Sequence, residues 1–200
     1  MNTIGESRDQ QTKARIVEAA VQLFKQFGYQ KTTVADIAEK LGMSPANVYR
    51  FFESKKEICE TVCLQLTGEV EAACRQLANG PGTATEKIRK LVVVVNHMSI
   101  ERYTADVRMH EMVAAALRDS WPLVKQHALR LDTIIAEILQ QGMNAGEFVK
   151  SDPFITARCL HTAMMRFAHP GLMIECADMD VPSLDQMSEF MLRALGQQTN

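Results

Sequence analysis

Two hundred residues, 46 % of them apolar, suffice for one or two small domains with a sizeable core and exclude a chain disordered throughout. The net charge of −2 excludes a surface that is basic all over, yet the charge is unevenly spread: residues 1–56 hold nine Lys/Arg against six Asp/Glu, a balance of +3, and the remainder balances at −5. A basic end on an acidic body is the asymmetry expected when one end alone meets phosphate.

Residues 1–10 are polar and read as a mobile arm. From Thr12 to Phe27 the apolar positions Ile16, Ala19, Ala20, Leu23, Phe24 and Phe27 form one helical stripe, which Gly28 stops. Thr33 caps a short second helix with Val34, Ile37, Ala38 and Leu41, ended by Gly42. Ser44 caps a third helix with Pro45 in its first turn, and Val48, Phe51 and Phe52 point back into a small core. Two short helices joined by a Gly-containing turn form the helix-turn-helix pattern. Glu53-Ser54-Lys55-Lys56 opens a fourth, longer helix with the stripe Ile58, Val62, Leu66 and Val70, and Asn79-Gly80-Pro81-Gly82 is the clearest break in the chain.

A fifth helix begins near Thr85 and runs through Ile88, Leu91, Val92, Val95 and Met98. Val92 to Val95 is a β-branched run, but its flanks keep helical spacing, which favours helix over strand. A sixth helix covers Asp106 to Leu117, and a seventh runs from Ser120 and Pro122 to about Asn144, before Gly146. Asp152-Pro153 opens an eighth through Phe154, Cys159, Leu160, Met164 and Phe167; Ser183 opens a last one with Leu184, Met187, Phe190, Met191 and Leu195. No strand is predicted. The expected fold is all-α, with about nine helices: an arm and three-helix head over residues 1–56 and a larger helical bundle over residues 57–200.

Five cysteines without a CxxC pair are not a disulfide framework and read as reduced thiols of a cytoplasmic protein. The polar N-terminus is no signal peptide, and no run approaches the roughly 18 apolar residues of a membrane helix. No phosphate loop, nucleophile motif or HExxH occurs, so no enzyme activity and no cofactor are expected. Cys59 and Cys63 stand at i, i+4, a spacing open to metal binding or redox switching, but no further ligand is near in sequence and ordinary helix packing is the plainer reading. His97, His110, His161 and Glu111 are a possible polar cluster, against which stands the commoner satisfied histidine. No metal site is expected.

Residues 12–58 resemble the DNA-binding domain of the TetR family of bacterial transcriptional regulators. The likeness rests on ARIVEAAVQLFKQFGYQKTTV, VADIAEKLGMS and ANVYRFFESKKEI, in particular the FGYxxTT entry and the VYRFFxSKKE exit. The resemblance implies a third helix in the major groove of double-stranded DNA. Ser44, Pro45, Ala46 and Asn47 would then lie at its groove-facing start, Tyr49 on a phosphate, Thr33 and Lys55 at backbone-contacting positions, and Arg50 near the groove. Asn47 is the best direct reader, since an amide pairs bidentately with adenine.

The resemblance further implies a ligand-relieved repressor acting as a homodimer on a palindromic operator, with no membrane partner. A small-molecule effector, apolar or amphipathic, would lie among soft residues of the body, His97, Met98, Tyr103, His110, Met112, Trp121, Met164 and Phe167. The dimer seam would involve Leu160, Met164, Leu184, Met187, Phe190 and Met191. The competing reading is a ligand carrier or metal-responsive scaffold that does not bind DNA; salt dependence of DNA affinity separates the two.

Overall fold

A computed structural model describes residues 3–101, 108, 121–169, 172–173 and 178–196, with the backbone alone for residues 3–7 and Trp121. Among them are eight α-helices and no strand: α1 Thr3–Phe27, α2 Val34–Lys40, α3 Pro45–Tyr49, α4 Lys55–Asn79, α5 Ala84–Ser99, α6 Trp121–Ala145, α7 Pro153–Ala168 and α8 Leu184–Ala194. The predicted all-α class holds. The helix predicted over Asp106–Leu117 falls, Arg108 apart, outside the described residues. No helix of the described residues is long and apolar enough to cross a membrane.

Two compact units divide the chain: Met1–Leu66 with Asp106–Leu123, and Thr67–Ala105 with Val124–Asn200. The first is built on α1. This helix starts at Thr3, not at Thr12, so it runs through the stretch expected to be an arm. No proline interrupts residues 3–15, and a helix anchored by packing extends at one hydrogen bond per residue fixed. Residues 8–11 stay exposed, and burial begins only at Ile16. Ile16, Ala20 and Phe24 meet Ile37 and Ala38 of α2, Val48 of α3, and Phe52, Ile58 and Val62 in one buried core. Phe27 departs from the predicted stripe and is 50 % exposed. Past the reversal at Gly28 (φ 87°), Tyr29 takes the place against Phe24, with ring centroids 5.4 Å apart in an edge-on contact.

In the second unit α5, α7 and α8 pack on one another, and α6 supplies Leu131, Ile134, Ile135, Ile138 and Leu139 to the same core. Val92 and Val95 are buried within α5, so packing overrides the β preference of that run. Capping defines the helix starts: Thr83 and Ser183 form capping boxes with Glu86 and Gln186, and Asp152 accepts from the backbone N–H of Phe154 and Ile155. The start of α5 is bound a second time. The Glu147 carboxylate, just past α6, accepts from the N–H groups of Ala84 and Thr85 at 3.0 Å each. Burial pushes this carboxyl up, but the Thr85 and Ala84 hydrogen bonds outweigh it and hold the group below its ordinary value.

Candidate nucleic-acid interface

The loop between α1 and α2 shows what the FGYxxTT stretch does locally. Gly28 takes the left-handed conformation that ends α1, and its N–H bonds the Phe24 carbonyl at 2.9 Å. Thr32, 1 % exposed, donates its hydroxyl to the Gly28 carbonyl at 2.8 Å. Thr33 then caps α2 in a capping box with Asp36: Asp36 N–H donates to the Thr33 hydroxyl oxygen at 3.2 Å, and the Thr33 N–H donates to the Asp36 carboxylate at 2.7 Å. The Thr33 hydroxyl also donates to that carboxylate, at 2.8 Å. The backbone bond first and the hydroxyl second hold Asp36 below the usual carboxylate range. Thr33 is exposed, but its two donors serve Asp36.

Lys55 joins the far end of the motif to this loop. Its ammonium donates to the carbonyls of Tyr29 at 2.9 Å, Thr32 at 2.9 Å and Gln30 at 3.4 Å, and lies 4.5 Å from the Tyr29 ring centroid. An ammonium has three protons, and three carbonyls face it. The predicted backbone-contacting position is therefore also a tie between the start of α4 and the turn ahead of α2. Sequence spacing carried no signal of that, because 23 to 26 residues separate the partners.

Ser44 caps α3, accepting from the Asn47 N–H at 3.3 Å, and Pro45 occupies the first turn. Val48 is fully buried, which turns Ser44, Pro45, Ala46, Tyr49 and Arg50 outward as exposed residues. Tyr49 is 53 % exposed, a large ring left on the surface of a small unit. Asn47 is half-buried. Its amide lies at the limit of hydrogen bonding on both sides, 4.0 Å to the Met43 sulfur and 3.5 Å to Arg50 Nη1. Such long contacts are weak and readily exchanged for a base edge.

The residues named in the body do not gather. His97 is exposed and pairs with Glu101 at 3.4 Å. Met98 and Phe167 are half-buried, and Met164 lies in the core. Tyr103, His110, Glu111 and Met112, and the side chain of Trp121, lie outside the described residues. His161 joins Asp132 instead, Nδ1 to carboxylate at 2.6 Å, with Asp132 6 % exposed. A second such pair, His127 with Glu71 at 2.7 Å, is joined by Arg130 at 2.8 Å. Burial keeps His127 below its ordinary value, and Glu71 only partly offsets this. Lys87, 8 % exposed, donates to the Ala78 carbonyl and to Gln141 at 3.0 and 2.9 Å. These pairings link residues 9 to 56 positions apart, and sequence reading missed them. No set of three or more His, Cys, Asp or Glu able to hold a metal occurs among the described residues.

Of the residues named for a dimer seam, Leu160, Met164 and Met191 are buried in their own unit, and Leu184 and Met187 are packed against the same core. Phe190 alone of the six is turned out, at 60 % exposure.

Comparison with known proteins agrees over most of the length. The family model described as bacterial regulatory proteins, tetR family, matches residues 16–62, and that of the tetracyclin repressor-like C-terminal domain matches residues 84–183. The chain is similar to the HTH-type transcriptional regulator YfiR of Bacillus subtilis, 26 % identical over 72 % of this chain and 71 % of the relative. It is also similar to the HTH-type transcriptional repressor KstR2 of Mycolicibacterium smegmatis, 26 % identical over 66 % of this chain and 65 % of the relative. Among solved structures it resembles the transcriptional regulator FadR of Bacillus subtilis in complex with stearoyl-CoA. That likeness has a TM-score of 0.64 and 20 % identity, and covers 91 % of this chain and 96 % of the other.

Proposed function

The chain belongs to the TetR family of bacterial regulatory proteins, and from that premise we propose that it is a homodimeric repressor, released from a palindromic operator by a small-molecule effector. That it is a DNA-binding transcriptional regulator is shared with the family and its repressor relatives. The division into a DNA-reading head and an effector-binding, dimer-forming body belongs to the proposal. In this reading α3 lies in the major groove, Asn47 reads a base edge, Tyr49 and Ser44 hold phosphates, and Arg50 reaches the groove wall. The observation that supports it most is the outward row of α3: polar and aromatic side chains exposed above a fully buried Val48, on the part of the chain with net positive charge. Two such heads would enter successive major grooves roughly 34–36 Å apart.

The effector is proposed to be apolar or amphipathic. Support comes from the structural relatives, among them FadR in complex with stearoyl-CoA and SmeT in complex with triclosan. To relieve repression it must favour the state that binds DNA poorly, and a coupling of ~1–3 kcal/mol is typical of such linkage. The test is a DNA-shift assay at fixed salt, using the intergenic DNA beside the gene. Asn47→Ala and Tyr49→Phe should each weaken specific binding, Asn47→Ala by about 1–3 kcal/mol and with relaxed preference at one base pair. Affinity unchanged in both variants would remove α3 as the reader. Affinity of the unmodified protein that showed no fall with rising salt would favour the carrier reading.

A further inference from the structure

α4 carries Cys59 and Cys63 one turn apart, with Lys55 one turn earlier. The i, i+4 spacing places all three on one stripe of the helix. Burial changes along it: Cys59 is 2 % exposed beside Ile58 and Val62 in the core of the first unit, while Cys63 is partly open. The Cys59 thiol donates a hydrogen bond to the Cys63 sulfur. This bond polarises the pair. It drives the Cys59 thiol up, with burial adding to the effect, and it holds the Cys63 thiol below its ordinary value against burial and the Glu60 carboxylate. Neither residue is in a disulfide. The near-parallel Cα–Cβ vectors of consecutive turns suit an S–S bond poorly, so the pair is built as donor and nucleophile. The other described thiols differ. Cys74 is buried, and burial pushes it up to about 12; Cys159 is exposed on α7.

We propose that Cys63 is a site of covalent modification by soft electrophiles of the α,β-unsaturated carbonyl class, primed by the Cys59 thiol, and that the adduct weakens DNA binding. The Cys63 thiolate, its proton already lost to solvent, gives an electron pair to the β carbon. The C=C π pair moves to the carbonyl oxygen as an enolate, and a proton from water returns to the α carbon. Nothing is oxidised or reduced. The adduct stands on the stripe that carries Lys55, whose ammonium ties the turn ahead of α2. This second half rests on the DNA-binding reading above.

N-ethylmaleimide, itself such a carbonyl, is the probe. The full-length protein is labelled below stoichiometry, and each cysteine is followed by peptide mass spectrometry across pH. Cys63 is expected to label about tenfold or more faster than the exposed Cys159 at neutral pH, with a rate midpoint at lower pH, because the thiolate is the reacting form. Cys59→Ala should raise the Cys63 midpoint, and Cys59→Ser, which keeps a donor, should restore it. Faster labelling of Cys159 overturns the site, and this comparison needs no variant. A Cys63 midpoint unmoved in a folded Cys59→Ala protein overturns the priming. Binding to the intergenic DNA is read before and after labelling, beside Cys63→Ser. Loss on labelling in the unmodified protein but not in Cys63→Ser supports the regulatory half, and unchanged affinity overturns it. Absence of specific binding before labelling would instead overturn the DNA-binding reading and leave the labelling order as an independent result.

Discussion

Lys55 has two possible employers, and they predict different measurements. As a phosphate contact its loss would be felt only with DNA present. As the tie to the Tyr29, Gln30 and Thr32 carbonyls its loss leaves three acceptors without their ammonium in the DNA-free protein. Charge-assisted hydrogen bonds are worth more than neutral ones, but Lys55 is only half-buried and water can replace part of the loss. Lys55→Met keeps the aliphatic stem and should therefore cost about 1–2 kcal/mol, seen as a lower urea midpoint with no DNA added. A midpoint equal to that of the unmodified protein, together with weaker operator binding, would assign the ammonium to phosphate instead. The same residue marks the limit of the sequence. That Ser44 would cap, Val48 would be buried and Tyr49 would face outward was legible, because each follows from a spacing of at most a few residues. That Lys55 closes the α1–α2 turn was not, because nothing local distinguishes it from Lys56.

At the scale of elements, the end of α6 shows how a glycine sets a close approach. Gly142 lies inside the helix, where a Cβ would stand 2.2 Å from the Phe148 ring and 2.8 Å from the Ala84 Cβ. The chain reverses at Gly146 (φ 76°) and brings Phe148, 4 % exposed, back onto the helix it has just left. Glu147 is carried with it to the start of α5. Alanine normally favours a helix over glycine by ~1 kcal/mol. Here Gly142→Ala should destabilise by about 1–3 kcal/mol, because ring and helix must separate. Gly142→Ala with Phe148→Leu should lose less than the two single changes added together, as coupled neighbours do. Chemical denaturation of the four proteins checks it, and a stabilised Gly142→Ala would show that the contact yields freely. Helix starts and stops here were legible from Gly146, Asp152-Pro153 and Ser183, whose chemistry is local. The start of α1 was misplaced because polarity was taken for disorder, while helix formation asks only for residues that do not break it. The Asp132–His161 and Glu71–His127 pairs lay beyond reading, since partner choice is set by which helices meet.

For the whole molecule the question is how one reader becomes two. In a symmetric dimer the same patch serves both copies, so a single change counts twice. Leu160, Met164 and Met191 are unsuited to test such a seam, because each is already buried in the core of its own chain and its loss would unfold before it dissociated. Phe190 is suited. It sits on α8 between Glu189 and the buried Met191, yet its ring is 60 % exposed, so a change there leaves the core intact. Burying one Phe side chain is worth roughly 1.5–3 kcal/mol, and two rings leave the interface together. Phe190→Lys, which adds like charges across the two-fold axis, should therefore raise the dimer dissociation constant by about a hundredfold or more. Sedimentation at micromolar concentration would show mass shifting from dimer toward monomer, with an unfolding midpoint close to that of the unmodified protein. Operator affinity should fall with it and become steeply dependent on protein concentration, while weak binding to unrelated DNA at low salt persists, since each head keeps its own charges. A variant that stays dimeric would move the seam off this face of α8. A variant that becomes monomeric yet binds the operator undiminished would remove the need for two readers.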